Sequence, residues 1–354
     1  MDSGIIIVNE KQSPTFNAGD YVQSLAAMQF LQKGDTPVFM ERDNLINNCK
    51  ANHVKVIMNG WWMETPVNFP PCDSIIPFYR SFHLRPKIEK LFFTKETIMH
   101  LKRHEPIGCR DTNTVKMMLS HGIKAYFSGC LTLTLGLSFK YKGEDSSQIY
   151  IVDPFVGKFI CKDVLLSINI MLRCLYVSLF KKTLINKIAN RIKSTCSYHR
   201  QGFDLFLYST KICAIYSNAF DSTLLESAIY NTHDIPSKVI ISQSDRLNYV
   251  KQLLYNYSNA KFVITSRIHC GLPCLGIGTP VVFIAVDAIS PGRLGGIVDF
   301  FRSAYIKKGK CILNRRDFDV NMIGTESCFQ NKEKYKKYKD KLIVDCKDFF
   351  AKCC

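Results

Sequence analysis

Residues 261 to 284, KFVITSRIHCGLPCLGIGTPVVFI, contain the pattern that decides the fold. Phe262 to Ile264 is a short β-branched run with the length of a buried strand, and Pro280 to Ile284 is a second such run. The residues between them, TSRIH (265–269) followed by a compact apolar segment with glycines, predict a turn and a helix. The stretch therefore indicates a strand, a helix and a second strand of an α/β protein.

The polar residues of this stretch, Ser266, Arg267 and His269, come at the end of a strand and the start of a helix. Ligands of α/β proteins bind at that place, and the free N–H groups and dipole of a helix N-terminus favour an anion. Arginine matches a carboxylate or phosphate in bidentate fashion, and an imidazole can move a proton near neutral pH. A purely structural unit, whose polar residues cap the helix and face water, fits the same residues.

Length and composition bound the class of protein. A chain of 354 residues is longer than one hydrophobic core usually accommodates, so two domains are expected. A composition of 47% hydrophobic and 22% charged residues is typical of a globular protein. The 15 cysteines are scattered without a CxxC, and no signal-peptide pattern precedes them, which predicts reduced thiols in a cytoplasm. Cys270 and Cys274 lie one helical turn apart beside His269, and we interpret them as packed thiols rather than zinc ligands.

The formal charge of +17 is concentrated in two regions. Residues 158–211 contain ten basic and two acidic residues (10 − 2 = +8), and residues 331–354 contain eight lysines against four acidic residues (8 − 4 = +4). Basic surfaces attract polyanions, among them nucleic acid, acidic glycans and anionic lipids. No nucleic-acid-binding module accompanies the charge, so we expect no nucleic-acid partner.

Val164 to Phe180 is apolar almost all round and is followed by basic residues to Lys193. Seventeen residues with Arg173 near the middle are a poor membrane span. A helix buried within the domain and a helix lying on lipid both fit, so residues 164–193 are a candidate contact with an anionic membrane surface.

The first half of the chain contributes further candidates. After a strand at residues 5–8, the turn NAGD (17–20) leads into a helix at residues 21–32. Gly19 lets backbone approach a ligand, and Asp20 can receive a hydroxyl or simply cap the helix. Trp61, beside Gly60 at a predicted strand end, offers an aromatic face for a sugar.

Two more candidates follow predicted strands. Ile107 to Cys109 runs into Arg110 and Asp111, with Asp111 placed as the N-cap of a helix at residues 112–121. Arg110 thus occupies the same relative place as Arg267, and two such arginines could clamp one doubly anionic molecule. His83 also ends a strand, and a structural role for it is equally open.

The repeated alternation of strands and helices predicts mostly parallel sheets covered on both faces. The polar stretch at residues 140–148 marks a boundary, giving domains at 1–145 and 146–330 and a basic closing helix at 331–354. The predicted strands are at residues 37–40, 54–58, 75–84, 106–109, 125–133, 149–152, 212–216, 239–242, 262–265 and 281–284, with helices at 222–230 and 245–257. A glycine-rich loop at 290–296 opens a further short helix at 297–301.

Four segments together resemble the polysaccharide pyruvyltransferase family: NAGDYVQ (17–23), IGCRD (107–111), SGCLTLTL (128–135) and ITSRIHCGLPCLGIGTPVV (264–282). The resemblance implies two Rossmann-like domains facing across a cleft, as in GT-B glycosyltransferases. It implies phosphoenolpyruvate as co-substrate rather than cofactor, and a saccharide or lipid-linked oligosaccharide acceptor, in cell-surface polysaccharide synthesis.

The family pattern assigns Arg267, Ile268 and His269 to the donor and matches its other arginine to Arg110. His269 is then the first candidate for the acid that protonates the donor methylene, with His83 second. Because arginines can hold the donor's charge, no metal is demanded. We expect a cytoplasmic enzyme, peripheral at the inner membrane face. The alternatives are a GT-B nucleotide-sugar glycosyltransferase and a non-catalytic protein that binds anionic glycans.

Overall fold

The computed structural model describes residues 2–8, 14–32, 34–47, 49, 52–157, 164–196, 200–286 and 294–351. We refer to the described residues up to 145 as the N-terminal half and to those from 146 onward as the C-terminal half. The predicted loop at 290–296 lies outside the described residues as far as Arg293, and so do residues 158–163 of the basic region.

Short strands, buried on both faces in the middle of each half, form the framework of the protein. They are β1 (Asp2–Ile7), β2 (Thr15–Asn17), β3 (Val38–Glu41), β4 (Val54–Ile57), β5 (Gly60–Trp62), β6 (Ile75–Phe78), β7 (Phe82–Leu84), β8 (Ile107–Cys109), β9 (Ala125–Phe127), β10 (Ile149–Val152), β11 (Ile229–Asn231), β12 (Asp234–Pro236), β13 (Phe262–Thr265), β14 (Val281–Ala285), β15 (Arg302–Lys307) and β16 (Lys310–Leu313). Strands with a continuous apolar sequence, such as β13 and β14, are typical of parallel sheets covered on both faces.

Helices connect the strands and cover the sheets. They are α1 (Ala18–Met28), α2 (Glu89–Phe92), α3 (Lys95–Arg103), α4 (Thr112–Ser120), α5 (Val164–Phe180), α6 (Lys182–Thr195), α7 (Gly202–Tyr216), α8 (Ser222–Ser227), α9 (Gln243–Ser258), α10 (Ile268–Ile277) and α11 (Lys336–Ala351). Single 3₁₀ helices occupy Arg42–Asn47, Pro66–Asn68, Pro86–Ile88, Leu131–Leu137 and Val298–Phe300.

The N-terminal half contains two parallel sheets, ordered β3-β1-β4-β6 and β5-β7-β8-β9. The chain passes twice from the first sheet directly into the second, because β4 is followed by β5 and β6 by β7, each time after a bend. Gly60 and Ser81 take positive φ values of 103° and 60° at these bends.

The C-terminal half contains one six-stranded sheet, ordered β11-β10-β13-β14-β15-β16. All neighbouring strands are parallel except β15 and β16, which form an antiparallel hairpin. The mixed α/β class with mostly parallel sheets is therefore confirmed, whereas the domain boundary after residue 145 and the GT-B arrangement remain predictions.

The two halves are joined by a shared apolar layer. Buried side chains of α1, α9, α10 and the 3₁₀ helix Leu131–Leu137 belong to a single cluster, which includes Cys270 and Cys274. A Cβ at Gly276 would overlap the carbonyl of Leu133, so only glycine allows this approach of α10 to the 3₁₀ helix. The antiparallel pair β2–β12 adds backbone hydrogen bonds between the halves.

Helix α11 returns to the N-terminal half and packs there. Nε of Arg80 donates to Asp345 at 3.0 Å, and Phe349 stacks on Phe78 with ring centroids 4.7 Å apart. The closing helix predicted for residues 331–354 thus begins at Lys336, and its Tyr338 also packs on Phe300 of the C-terminal half, with ring centroids 5.3 Å apart.

Several predicted elements were wrong. Residues 212–216 form the end of α7 instead of a strand, because a short apolar run does not distinguish a buried strand from a buried helix. Residues 239–242 form an irregular segment in which Val239 and Ile241 are exposed. The strand at 125–133 ends at Phe127, before Gly129 with a φ of 74°, and the helix at 222–230 ends at Ser227, before β11.

Candidate active site

Arg110, at the end of β8, is the central cation of the candidate site. Its backbone N–H donates to the carbonyl of Phe82 at 2.9 Å, which fixes it beside β7. Its side chain is only 1% exposed, and Nε and Nη2 have no hydrogen-bond partner among the described residues. A buried guanidinium with unpartnered nitrogens is costly unless an anion binds it, so Arg110 is a candidate anion-binding residue.

His269 approaches Arg110 from the C-terminal half. Nη1 of Arg110 lies 3.3 Å from Nε2 of His269, although the two residues are 159 positions apart in the chain. Because a guanidinium can only donate, Nε2 of His269 is the acceptor and carries a lone pair in this contact. The site is thus formed by both halves together.

His83 and Asp111 form a buried pair on the N-terminal side of the site. Nδ1 of His83 lies 2.5 Å from Oδ2 of Asp111, and the two side chains are 1% and 0% exposed. Oδ1 of Asp111 also accepts from the N–H of Thr114 at 3.0 Å, as the N-cap of α4. One carboxylate therefore begins the helix and orients the imidazole.

The pKa of Asp111 shows how the pair is stabilised. Burial alone would raise it, but the hydrogen bond and charge of His83, the charge of Arg110 and the N–H of Thr114 outweigh burial and lower it. Asp111 is therefore a carboxylate at neutral pH, and Nδ1 of His83 donates to it.

Gly19, in the first turn of α1, packs directly against His269. A Cβ at Gly19 would lie 2.9 Å from Cβ and 3.2 Å from Nδ1 of His269, so glycine allows this close approach. The helix is capped by Asn17, whose side chain accepts from the N–H of Gly19 at 3.0 Å. Asp20 is partly buried and accepts from Gln23 at 3.2 Å, so the cap of α1 is Asn17 rather than Asp20.

Arg267 lies at the start of α10 but is already bound by carboxylates. Its Nε donates to Asp153 at 3.0 Å and its Nη2 donates to Asp234. Burial would lower the pKa of Arg267, but these two carboxylates outweigh it and raise the pKa. The charge of Arg267 is thus balanced within the C-terminal half, which the sequence reasoning did not foresee.

Ser266 and Ile268 support the same turn. Oγ of Ser266 donates to the carbonyl of Asp153 at 2.5 Å, and Ile268 is the first residue of α10, partly buried against the shared apolar layer. Asp153 follows β10, which pairs with β13 in the sheet and so brings it beside Arg267; the sequence predicted parallel sheets but not this pairing. Asp234 belongs to no recognised motif, so the sequence did not indicate that it would bind Arg267.

Trp61 lies on β5 opposite His83 on β7, but guanidinium groups already cover its ring. Those of Arg42 and Arg85 lie 4.4 Å and 4.3 Å from the ring centroid. A sugar that stacks on Trp61 must therefore displace an arginine.

A segment of the C-terminal half also touches the start of α4. The N–H of Thr112 donates to the carbonyl of Gly295 at 3.1 Å, two residues after Arg110. Among the described residues, no three His, Cys, Asp or Glu side chains cluster as metal ligands.

A comparison with models of protein families matches residues 17–288 to the family described as Polysaccharide pyruvyl transferase. This range covers about three quarters of the chain and includes every candidate site residue discussed above. No curated protein and no solved structure matches the chain significantly.

Proposed function

Because the chain belongs to the polysaccharide pyruvyl transferase family, we propose that it transfers pyruvate from phosphoenolpyruvate to two hydroxyls of a glycan as a ketal. The observation that carries the proposal is the buried guanidinium of Arg110, with two unpartnered nitrogens among the described residues, held against His269. Phosphoenolpyruvate has a carboxylate and a phosphate, and both suit bidentate binding by arginine.

Arg110 takes the larger share of donor binding in this proposal. Arg267 already faces Asp153 and Asp234, so its net attraction for a further anion is small. It acts mainly by fixing the turn that presents Ile268 and His269 at the N-terminus of α10. That helix N-terminus then adds its dipole to the charge of Arg110.

The two histidines have different surroundings, which suggests different roles. Asp111 accepts from Nδ1 of His83 and holds the ring in place, so His83 is the better-oriented candidate acid for the donor methylene. Nε2 of His269 carries a lone pair, and it can receive the proton of an attacking hydroxyl once Arg110 turns from it to the donor anion. This order reverses the preference for His269 as the acid that the sequence alone suggests.

The reaction balances with these groups. Protonation of the methylene carbon makes a methyl group and an electrophilic C2, which the first glycan hydroxyl attacks. The C2–O bond to phosphate then breaks, and a neighbouring hydroxyl closes the ketal. Of the two hydroxyl protons released, one replaces the proton given to the methyl group, and the other leaves with phosphate or solvent.

The acceptor is a saccharide, free or attached to a lipid carrier, in cell-surface polysaccharide synthesis. Asp20 is the candidate acceptor of a hydrogen bond from a glycan hydroxyl, because Gly19, the residue before it, brings α1 against His269. In this proposal the two halves work as the facing domains of a GT-B enzyme in the cytoplasm. The charge is held by arginine, so we expect transfer to continue in the presence of a metal chelator.

The test is to incubate the protein with phosphoenolpyruvate and a panel of glycans, measuring free phosphate and the mass of each glycan. Phosphate release that depends on a glycan, together with one added pyruvyl ketal, supports the proposal. Nucleotide sugars serve as the comparison donors. Glycosyl transfer from one of them, without turnover of phosphoenolpyruvate, would instead make the protein a glycosyltransferase.

A further inference from the structure

Helix α5 exposes a wide apolar face that carries no charge. Its exposed side chains are Val164, Leu165, Ile168, Met171, Leu172, Leu175, Tyr176, Leu179 and Phe180. At 3.6 residues per turn these positions cover about half of the helix circumference. Leu165 and Leu179, near its two ends, are 75% and 77% exposed. A continuous apolar patch of this kind marks an interaction surface.

The opposite side of α5 fixes this face outward. Ile170 and Val177 are buried in the core of the C-terminal half. Arg173, the only charged residue of α5, is partly buried and is held at the edge of the apolar face, where Nε donates to the carbonyl of Ala214 at 2.8 Å and Nη2 donates to Asn218 at 2.6 Å. Arg173 therefore leaves the exposed face purely apolar.

Lysines border this face on two sides. At its end, the exposed Lys181 and Lys182 lead into α6, which is bent by 102° from α5. Beside it, the β15–β16 turn carries the exposed Lys307, Lys308 and Lys310. A Cβ at Gly309 of this turn would lie 3.2 Å from Ile170, which places the turn against α5. Residues 164–196 contain six basic and no acidic residues.

We propose that α5 lies in the surface of a membrane containing anionic lipids, with its apolar face among the acyl chains and the bordering lysines at the headgroups. Interfacial helices have this combination of an apolar face and flanking cations. Two helices that associate as a coiled coil bury only a narrow apolar stripe, the a and d positions of a heptad. The apolar face of α5 covers about half of the helix circumference, which favours lipid over a second copy of the chain. Among the described residues, no single helix has the length and composition of a membrane span.

The test is flotation of the whole protein with phosphatidylcholine vesicles, with and without phosphatidylglycerol. Wild type should float with the anionic vesicles and much less with the neutral ones. Leu172→Glu/Leu179→Glu should weaken anionic-vesicle binding by about tenfold or more, because two inserted apolar side chains are lost. Lys181→Glu/Lys182→Glu should also weaken it and reduce its dependence on salt.

The matched control is Val67→Glu/Ile241→Glu, which changes side chains that are 77% and 76% exposed outside α5. This control should bind vesicles as wild type does, and all variants should keep the wild-type circular dichroism. Absence of wild-type binding to both vesicles, or equal binding by the α5 variant, would overturn the proposal. So would a solution dimer that the α5 variant dissociates while vesicle binding is absent. Flotation needs no substrate, so the result is independent of the proposed transfer reaction.

Discussion

Arg110 and Arg267 each follow a parallel strand, but their surroundings differ. Arg267 is neutralised by Asp153 and Asp234, whereas Nε and Nη2 of Arg110 are unpartnered within the described part of the chain. A buried guanidinium with two unpartnered nitrogens can bind a substrate anion, whereas one that is paired with two carboxylates mainly stabilises its own turn. The two arginines should therefore respond differently to the same substitution.

We expect Arg110→Gln to weaken phosphoenolpyruvate binding by about tenfold to a hundredfold, since a charge-assisted hydrogen bond contributes about 1.5–3 kcal/mol. Its free energy of unfolding should change little, because removal of a buried guanidinium with unpartnered nitrogens offsets the loss of its attraction for the Asp111 carboxylate. Arg267→Gln should instead lower the free energy of unfolding by about 1 kcal/mol, because Asp153 and the half-exposed Asp234 lose their partner. Calorimetric titration and urea unfolding of both variants measure the difference, and equal effects on binding would contradict it.

Asp111 is the residue through which His83 is oriented, and Asp111→Asn tests that role. Asparagine preserves the shape and remains a good N-cap for α4, so the variant should fold normally. The carboxylate that accepts from Nδ1 of His83 and fixes the ring is lost, so kcat should fall by about tenfold or more while KM for phosphoenolpyruvate changes little. Steady-state kinetics measure this, and an unchanged kcat would assign Asp111 to helix capping alone.

For individual residues, the sequence was informative where a polar residue followed a predicted strand. It placed Arg110 directly after β8 and His269 shortly after β13, and the structure has both at these places. The partners were harder to predict, because Asp234 reaches Arg267 through the β2–β12 pairing, which depends on two three-residue strands. Such short, distant pairs leave no periodic pattern in a single sequence.

Helix α10 illustrates how one element determines the position of a site residue. Its last turn is locked to the 3₁₀ helix Leu131–Leu137 through Gly276, and its first turn carries His269. The same ten-residue helix, with Pro273 in its interior, thus carries both Gly276 and His269.

We expect Gly276→Ala to lower the free energy of unfolding by about 1–3 kcal/mol, because its methyl group would meet the backbone of Leu133. The matched control on the same helix is Gly271→Ala, whose methyl group would lie 2.9 Å from the ring of Phe301. A ring can move more easily than backbone, so the control should be milder. Thermal or urea unfolding compares them, and a larger effect of Gly271→Ala would contradict the packing described.

Helix α3 carries a histidine that makes stability depend on pH. Burial, and then the charges of His104 and Arg103, lower the pKa of His100 from its ordinary value of 6.5 to about 3. Between these two values the unfolded chain binds a proton that the folded protein does not, so stability falls as the pH is lowered. Above pH 7 both states are unprotonated at this residue, and its contribution to the pH dependence vanishes.

His100→Gln should reduce this loss of stability in acid, by at most about 1.4 kcal/mol per pH unit. Glutamine can still bond to the hydroxyl of Tyr79, which lies 2.7 Å from Nε2 of His100. Urea unfolding at several pH values from 4 to 8 is the measurement. An identical dependence in the variant and wild type would show that His100 is not the responsible group.

Elements with a clear period were predicted well, and short apolar runs were not. Strands β1, β4, β10, β13 and β14 and helices α4, α5 and α9 lie at or near their predicted positions. Residues 212–216 are apolar and buried in either structure, so local sequence did not decide between strand and helix. The hairpin β15–β16 was missed because burial does not alternate along β15, and because the exposed Ile312 conceals the alternation of β16 in the sequence.

At the scale of the whole molecule, the two halves share a core and a site. The apolar layer of α1, α9, α10 and Leu131–Leu137 brings Arg110 and His269 within 3.3 Å. The strand pattern predicted the mixed α/β class, and the polar stretch at 140–148 suggested two domains. The shared layer could not be read from the sequence, because it depends on close packing of Gly136 and Gly276 from distant segments.

The central claim is that residues of both halves bind phosphoenolpyruvate together, and its most direct test is calorimetric titration of phosphoenolpyruvate into four proteins. These are wild type, Arg110→Gln, His269→Asn and the double variant. We predict that each single substitution weakens binding by about tenfold or more. The loss of affinity in the double variant should be smaller than the product of the two single losses, because residues in contact are coupled. Wild-type affinity in both single variants, or fully independent losses, would contradict a single site formed between the halves.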